Sequence, residues 1–528
     1  MTCSLLCTAF IFLLTTFSRA SALSSDDDSS KPFMQCLTSK MMSKLIYSPN
    51  NSSYTPILQI SINNLRFMTS DTPKPLLIVT PIDESQIQTI IFCSKKFGMH
   101  IRIRSGGHDF EGQSYVAQVP FVLLDMTNLR SITVNMTNKT AWVESGATIG
   151  ELYCRISEES DTLGFPGGLW TNVGIGGFIS GGGYGMMRRK YGLAADNVLD
   201  VRFINVNGTI HNRKTMGEDL FWAIRGGGGS SFGVIHSWKI KLVPVPKVVT
   251  VFRTVRTLEQ NATDIFYRWQ DVAPRFPKNL DLKCYVQSIL SNASTREDGK
   301  TIKITFESLY LGPIDQLLIL IRERFPELGL KTEDCSEISW IESGPFFSNH
   351  TVGTSPDIML NRSALPKFNF KGKSDFARNI IPKDGIMGIW EMLFNVAPEA
   401  ALLQFTPFGG RMNEISESAI PFPHRAGTLY MIYMGVFLDT DASQRLKWIN
   451  SMHEYLTPYV SKNPRAAYVN YLDLDLGNNT YNERSSYVKA SNWGRRYFKN
   501  NFRKLMQVKT VADPDNFFRH EQSIPTLS

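Results

Sequence analysis

Cysteine is scarce and never arranged for metal. Of the seven cysteines, Cys3 and Cys7 fall at the very start, and Cys36, Cys93, Cys154, Cys284 and Cys335 stand too far apart for a Cys-x-x-Cys site. The odd remainder leaves at least one thiol unpaired. Long apolar runs are missing too. Leu5 to Phe17 is too short to span a bilayer, and Ser18-Arg19-Ala20-Ser21-Ala22 follows it, which predicts a signal peptide over residues 1–22 and a mature chain from about Leu23. No nucleotide loop is complete. After Gly174-Ile175-Gly176 the dinucleotide fingerprint needs a glycine where Ile179 stands, and Gly372-Lys373-Ser374 fails as a phosphate loop because Lys367 holds its first glycine position. Charge of one sign is not concentrated either: the net charge is +8, but the short clusters Arg188-Arg189-Lys190 and Arg495-Arg496 read as solvated faces, which argues against nucleic acid as a partner.

What is present is an ordinary globular composition, 42% hydrophobic and 20% charged over 528 residues, enough for about two domains. Glycosylation sequons at Asn50, Asn51, Asn135, Asn138, Asn207, Asn261, Asn292, Asn349, Asn361 and Asn478 favour a secretory product, apoplastic or vacuolar. Leu76 to Val79, a helix marked by Ile87, Ile90, Ile91 and Phe97, and His100 to Arg104 read as strand, helix, strand. Further strands are expected at Phe121 to Asp125, Thr140 to Glu144 and Val234 to Leu242, a helix at Ile149 to Ile156, and a tight hairpin at Asn207-Gly208. Pro244 to Pro246 is a plausible boundary. Beyond it, long strands such as Thr301 to Leu311 and helices such as Ile314 to Phe325 and Ser443 to Leu456 predict a sheet covered by helices.

Two glycine-rich stretches carry the chemistry. Arg104-Ser105-Gly106-Gly107-His108 ends a strand in a turn whose exposed amides form a cradle for an anionic or flat ligand, with an imidazole beside it that can act as a base, ligate a metal or become alkylated. Leu163 to Gly185 contains so many glycines that backbone must face whatever binds; a third run, Gly226 to Gly229, follows a helix-like Glu218 to Arg225.

These motifs, with Tyr191-Gly192-Leu193-Ala194-Ala195-Asp196-Asn197 and Asp513-Pro514-Asp515-Asn516-Phe517-Phe518, resemble the plant berberine bridge enzyme-like (reticuline oxidase-like) flavoproteins. The resemblance implies an α+β fold: a vanillyl-alcohol oxidase type FAD-binding domain over residues 23–246, a substrate-binding domain with an antiparallel sheet over 247–478, and a segment 479–528 that completes the first. It implies FAD attached through its 8α-methyl to His108, and a disulfide between Cys36 and Cys93. Cofactor contacts are expected from Arg104, Ser105, Gly106, Gly107, Asp109, Ser114, Trp170, Gly174, Ile175, Gly176, Gly181, Gly182, Tyr184, Gly185, Asn197, Val234, Ile235 and Tyr471. Tyr471, in Ala467 to Asp475, matches the strand tyrosine that serves as base; Tyr115 and Tyr184 match other pocket tyrosines.

The departures matter as much. Trp170 stands where most relatives carry a cysteine bonded to flavin C6, so a single covalent link through His108 is expected, with a lower potential. Thr171, Asn172 and Phe178 also depart from the usual Pro, Thr and His. Ile175 matches the position near flavin C4a that admits or excludes oxygen. The strand Leu429 to Asp439 reads as apolar where relatives offer Gln or Glu, which argues for a bulky aromatic substrate. The reading is therefore an oxidase of an alkaloid amine or phenolic that turns dioxygen into hydrogen peroxide. Its rivals are a carbohydrate or monolignol-alcohol oxidase or dehydrogenase of the same family, and a non-redox cyclase with structural FAD.

Overall fold

Strand His100–Arg104 delivers the cradle because it is fixed between helix and sheet. It forms one edge of a four-stranded sheet ordered Ile46–Tyr47, Leu77–Val79, Phe121–Asp125, His100–Arg104, in which the last two pairings are parallel. The crossover helix Glu84–Lys96 starts where Asp83 accepts the Gln86 amide, and it buries Ile87, Ile90 and Ile91 against the sheet. Cys36 and Cys93 are bonded, which ties helix Ser30–Thr38 to this one as expected. The computed structural model describes residues 30–40, 42–479 and 487–527; the proposed leader 1–22 lies outside them. Among the described residues Cys154, Cys284 and Cys335 are unpaired, and no helix is long and apolar enough to cross a membrane.

A second, antiparallel sheet runs Ile132–Asn135, Thr140–Glu144, Val234–Lys241, Val198–Ile204, Ile210–His211. Its hairpin at Asn207-Gly208 differs from the expected two-residue turn. Gly208 alone takes a positive φ, while the Asn205 side chain accepts the amides of Asn207 and Thr209, so a side-chain-braced loop replaces it. Helix Ile149–Glu159 begins in a capping box in which Thr148 and Glu151 satisfy each other's amides.

The third sheet is antiparallel and seven-stranded: Cys335–Ile338, Val249–Thr257, Lys300–Tyr310, Leu280–Leu290, Ala401–Pro407, Tyr430–Phe437, Phe370–Ala377. One face is apolar and covered by helices Ala262–Val272, Ile314–Arg324, Lys383–Phe394 and Ala442–Tyr455, which bury Trp269, Leu317, Trp390 and Met452 against Leu282, Ile304, Phe405 and Ile432. The opposite face carries polar rings. Tyr285 pairs with Gln404, and Gln404 with Tyr433, so these three form a row across adjacent strands.

Two expectations fail here. Arg188 and Arg189 are buried, not solvated: Arg188 pairs with buried Asp281 at 2.9 Å and donates to the Pro407 carbonyl, while Arg189 donates to the carbonyls of Phe276, Pro274 and Phe408. These carbonyls at strand and loop ends need donors, and guanidinium groups supply several at once. Residues 467–475 are likewise a loop rather than a strand, and Ala466, Ala467 and Tyr468 already lie in the core of the first half, together with helices Tyr487–Phe498 and Asn501–Ala512.

Candidate active site

The cradle is built by backbones that touch. A side chain on Gly106 would put its Cβ 2.3 Å from the Gly174 nitrogen, and one on Gly174 would lie 2.0 Å from Ser105 Oγ, so the turn after His100–Arg104 and the entry of helix Ile175–Ser180 interlock only as glycines. Gly107 adds a positive φ of 70°. Ser105 donates to the Ser145 carbonyl at 2.5 Å, and Gly176 donates to that same oxygen. Asp109 accepts the amides of Glu111 and Gln113, which curls the loop after His108; burial lifts its carboxyl to about 6 despite those bonds.

His108 is held neutral. Burial lowers its imidazole to about 4, outweighing the pull of the Asn172 oxygens as acceptors for the protonated ring, and its Nε2 is enclosed with no protein partner. Ser114 Oγ and Ser145 Oγ are likewise buried without partners. Buried polar atoms are rarely left so. An interlocked glycine turn, a neutral imidazole and unpartnered donors are what the expected FAD requires, and the residues present fit it.

Several expected contacts serve the protein instead. Arg104 is spent on Asp125 at 2.6 Å and on the carbonyls of Leu58 and Ile57. Asn197 donates both side-chain hydrogens to the carbonyls of Tyr191 and Leu193. Gly182 and Gly183 accept the amides of Ala195 and Ala194, Gly181 admits the Asn470 side chain, and Gly185 lies against the Gly167 carbonyl. Val234 is core, and Ile235 is nearly so, packed over Gly229. Ile175 has no accessible surface; Val173, two residues earlier, is half-buried at the same helix entry and is better placed to meet a ligand. Trp170 is 42% exposed and packs edge-on against Phe368, so it stands at the rim.

Beyond the cradle lies a cage of rings. Tyr184 and Tyr471 share a short hydroxyl contact, and Gln404 donates to Tyr184 at 3.3 Å. Phe110 stacks on Tyr471 with centroids 4.9 Å apart and planes 14° apart; Tyr433 lies 5.1 Å and Tyr468 5.2 Å from the same ring. Tyr115 is elsewhere: it is buried with Phe67 and Tyr54 in a separate cluster, its place in the cage taken by Phe110. The sequence offered a signal for Phe110, two residues after His108, but Gln404, Tyr433 and Tyr285 converge only through cross-strand register. The strand read as apolar thus contributes Tyr433, and its neighbour contributes the amide.

Burial raises both phenols of the pair. Tyr471 stands well above its ordinary value, with Tyr184 adding to the effect. Tyr184 is also raised by burial, but the hydrogen bond from Tyr471, the charge of Arg188 and the Gln404 amide pull against it; the Arg188 guanidinium lies 5.7 Å from its ring. Negative charge is therefore better supported on Tyr184. At the cage's far side Tyr285 accepts from Lys283 at 2.5 Å, and Lys283 pairs with Glu307 at 2.7 Å.

Comparison with known proteins agrees with this geometry. Residues 75–213 match the FAD binding domain family and residues 467–525 the family described as berberine and berberine like. The chain is 46% identical to berberine bridge enzyme-like 26 of Arabidopsis thaliana, over 98% of this chain and 97% of that protein, and 49% identical to tetrahydroberberine oxidase of Argemone mexicana, over 91% and 89%. Among solved structures, Arabidopsis thaliana BBE-like #28 superposes with a TM-score of 0.88 at 45% identity, covering 94% of this chain and all of that one. Phl p 4, a grass pollen allergen with glucose dehydrogenase activity, gives 0.88 at 41% identity over 94% and 99%. By fold, by cradle and by relatedness over almost its whole length, the chain belongs to the berberine bridge enzyme-like family and is an FAD-binding oxidoreductase.

Proposed function

We propose that the chain is an oxidase of a plant specialised metabolite, an aromatic alkaloid amine or a phenolic, with FAD linked through His108 alone. The observation that carries the substrate class is the cage: the rings of Phe110, Tyr184, Tyr433, Tyr468 and Tyr471 pack on one another with one amide, Gln404, bonded to Tyr184, and rings of this kind favour a flat aromatic guest. When bound, FAD supplies the two-electron acceptor and passes the electrons to dioxygen, giving hydrogen peroxide.

The chain's own residues do the rest. His108, neutral and half-buried, offers an imidazole nitrogen for attachment, and a tryptophan at 170 offers no sulfur for a second bond. The cage orients the substrate and excludes water. As hydride leaves carbon in a substrate that carries a phenolic or alcoholic O–H, or an N–H, that proton passes to the Tyr184–Tyr471 pair, whose charge settles on Tyr184 beside Gln404 and Arg188; a tertiary amine without such a proton, tetrahydroberberine for one, leaves as the iminium and does not draw on the pair. Val173 at the helix entry bears on oxygen access.

A sugar or monolignol alcohol is the second reading, favoured by the hydroxyl and amide row of Tyr285, Gln404, Thr406 and Tyr184, which can bind alcohol groups. Anaerobic mixing with tetrahydroberberine, coniferyl alcohol and cellobiose, followed by admission of air, separates the two. Bleaching of the flavin by tetrahydroberberine and peroxide on aeration support the first; bleaching by cellobiose alone overturns it. Product formed with the flavin oxidised throughout would instead support a cyclase.

A further inference from the structure

Beside the cage, and outside it, lies a buried charge cluster that no step above uses. Lys371 and Lys373, on edge strand Phe370–Ala377, have their ammonium groups enclosed, 3% exposed each. Lys371 reaches Glu111 at 2.5 Å, Asp473 at 2.7 Å and Asp475 at 3.3 Å; Lys373 reaches Asp473 at 2.9 Å and Asp475 at 2.6 Å. Arg66 completes the set on Glu111. Three cations meet three carboxylates, so the cluster is neutral. Burying such a network is costly, and its retention is better explained by the geometry it specifies than by net stability.

The partners of Lys371 are informative. Glu111 directly follows Phe110, and Asp473 lies two residues after Tyr471, the two rings that stack at 4.9 Å. The ammonium donates to Glu111 and to Asp473, one carboxylate on each ring-bearing loop, and Asp475 lies 3.3 Å away as a further ion pair, so the group bridges the two loops. It joins three stretches of chain that are remote in sequence: the loop after His108, the C-terminal loop and the substrate sheet. Asp473 is held on its other side as well, its amide donating to Tyr497 Oη at 3.0 Å and its carbonyl accepting from Gln522 at 2.9 Å. Lys373 lacks any bond to Glu111 and so touches only one of the two ring-bearing loops.

We propose that Lys371 is a positioning residue, whose bridge between Glu111 and Asp473 sets the register of Phe110 on Tyr471 and thereby aims the Tyr471 hydroxyl at Tyr184. The inference rests on the reading of that pair as proton acceptor. The test compares Lys371→Met, Lys371→Arg and Lys373→Met in the flavin-loaded full chain by two measurements. In the crystal structure of Lys371→Met the Phe110–Tyr471 stack is expected to open, whereas Lys373→Met keeps it. In anaerobic rapid mixing with reticuline, an amine whose phenolic O–H supplies the proton, Lys371→Met is expected to slow limiting flavin reduction roughly 10- to 100-fold, with half-saturation within about twofold and flavin content unchanged. Lys371→Arg restores the charge, but its longer, planar fork does not reproduce the geometry of the bridge, so it is expected to recover stability more than rate. An intact stack with an unchanged rate in Lys371→Met, or equal losses in the Lys371 and Lys373 variants, would overturn the proposal. Should Lys371→Met not fold, Glu111→Gln tests the same tie, and an unmoved Phe110 there counts against it. If reticuline fails to reduce even the unmodified protein, the substrate reading falls and the crystal structures still decide the clamp.

Discussion

Two phenols within hydrogen-bond reach, both pushed up by burial, set the pH behaviour of the site. The base form is scarce at neutral pH, because each group must lose a proton above its ordinary value near 10. Turnover per unit substrate is therefore expected to climb steadily from pH 7 toward pH 10, and a bell with an optimum near pH 6 would contradict this assignment. Replacing Tyr184 or Tyr471 by Phe should each cost roughly 10²- to 10⁴-fold in flavin reduction, the range of general base catalysis. Adding the second substitution should cost little more, since the two act as one unit. Gly174→Ala is a structural counterpart: its Cβ would stand 2.2 Å from the Gly106 nitrogen, so a loss of about 1–3 kcal/mol and of flavin loading is expected in unfolding and absorbance measurements. At this scale the sequence was half legible. Motifs single out His108, Tyr184 and Tyr471, but Tyr115, expected in the pocket, packs with Phe67 and Tyr54 while Phe110 stacks on Tyr471, because motif spacing carries no information about which way a loop's side chains turn.

Strands and helices followed apolar periodicity closely, as Glu84–Lys96, Ile149–Glu159 and Lys300–Tyr310 illustrate, because burial on one face is written locally. What periodicity cannot express is a polar group's distant partner. The short helix Arg188–Tyr191 looks solvated by its charges, yet Arg188 and Asp281 bond across 93 residues and pin the glycine-rich segment to the large sheet. Arg188→Met would leave Asp281 buried without its closest cation, and about 3–5 kcal/mol should be lost in denaturant unfolding. The double change Arg188→Met with Asp281→Leu should recover much of that. Gln404 and Tyr433 entered the cage for the same reason, through register between strands that sequence leaves undetermined.

Over the whole molecule, three sheets and a returning C-terminal loop meet at one place, and function is assembled there from segments near residues 108, 184, 404 and 471. Composition and motifs made the flavin half readable, since glycines needed for close approach cannot be replaced. The substrate half was readable only as a sheet under helices. The disulfide at Cys36 and Cys93 spans a separation of 57 residues at the far side of the flavin half, so Cys36→Ser is expected to lower stability by about 4 kcal/mol while leaving flavin attachment intact. The central claim is that the interlocked glycine cradle presents His108 to FAD as its sole covalent anchor. Acid precipitation of the purified protein, followed by peptide mass mapping, tests it most directly. The account predicts that flavin stays with the protein and maps to the peptide containing His108 alone; flavin released into the supernatant, or attached to any other residue, would contradict it.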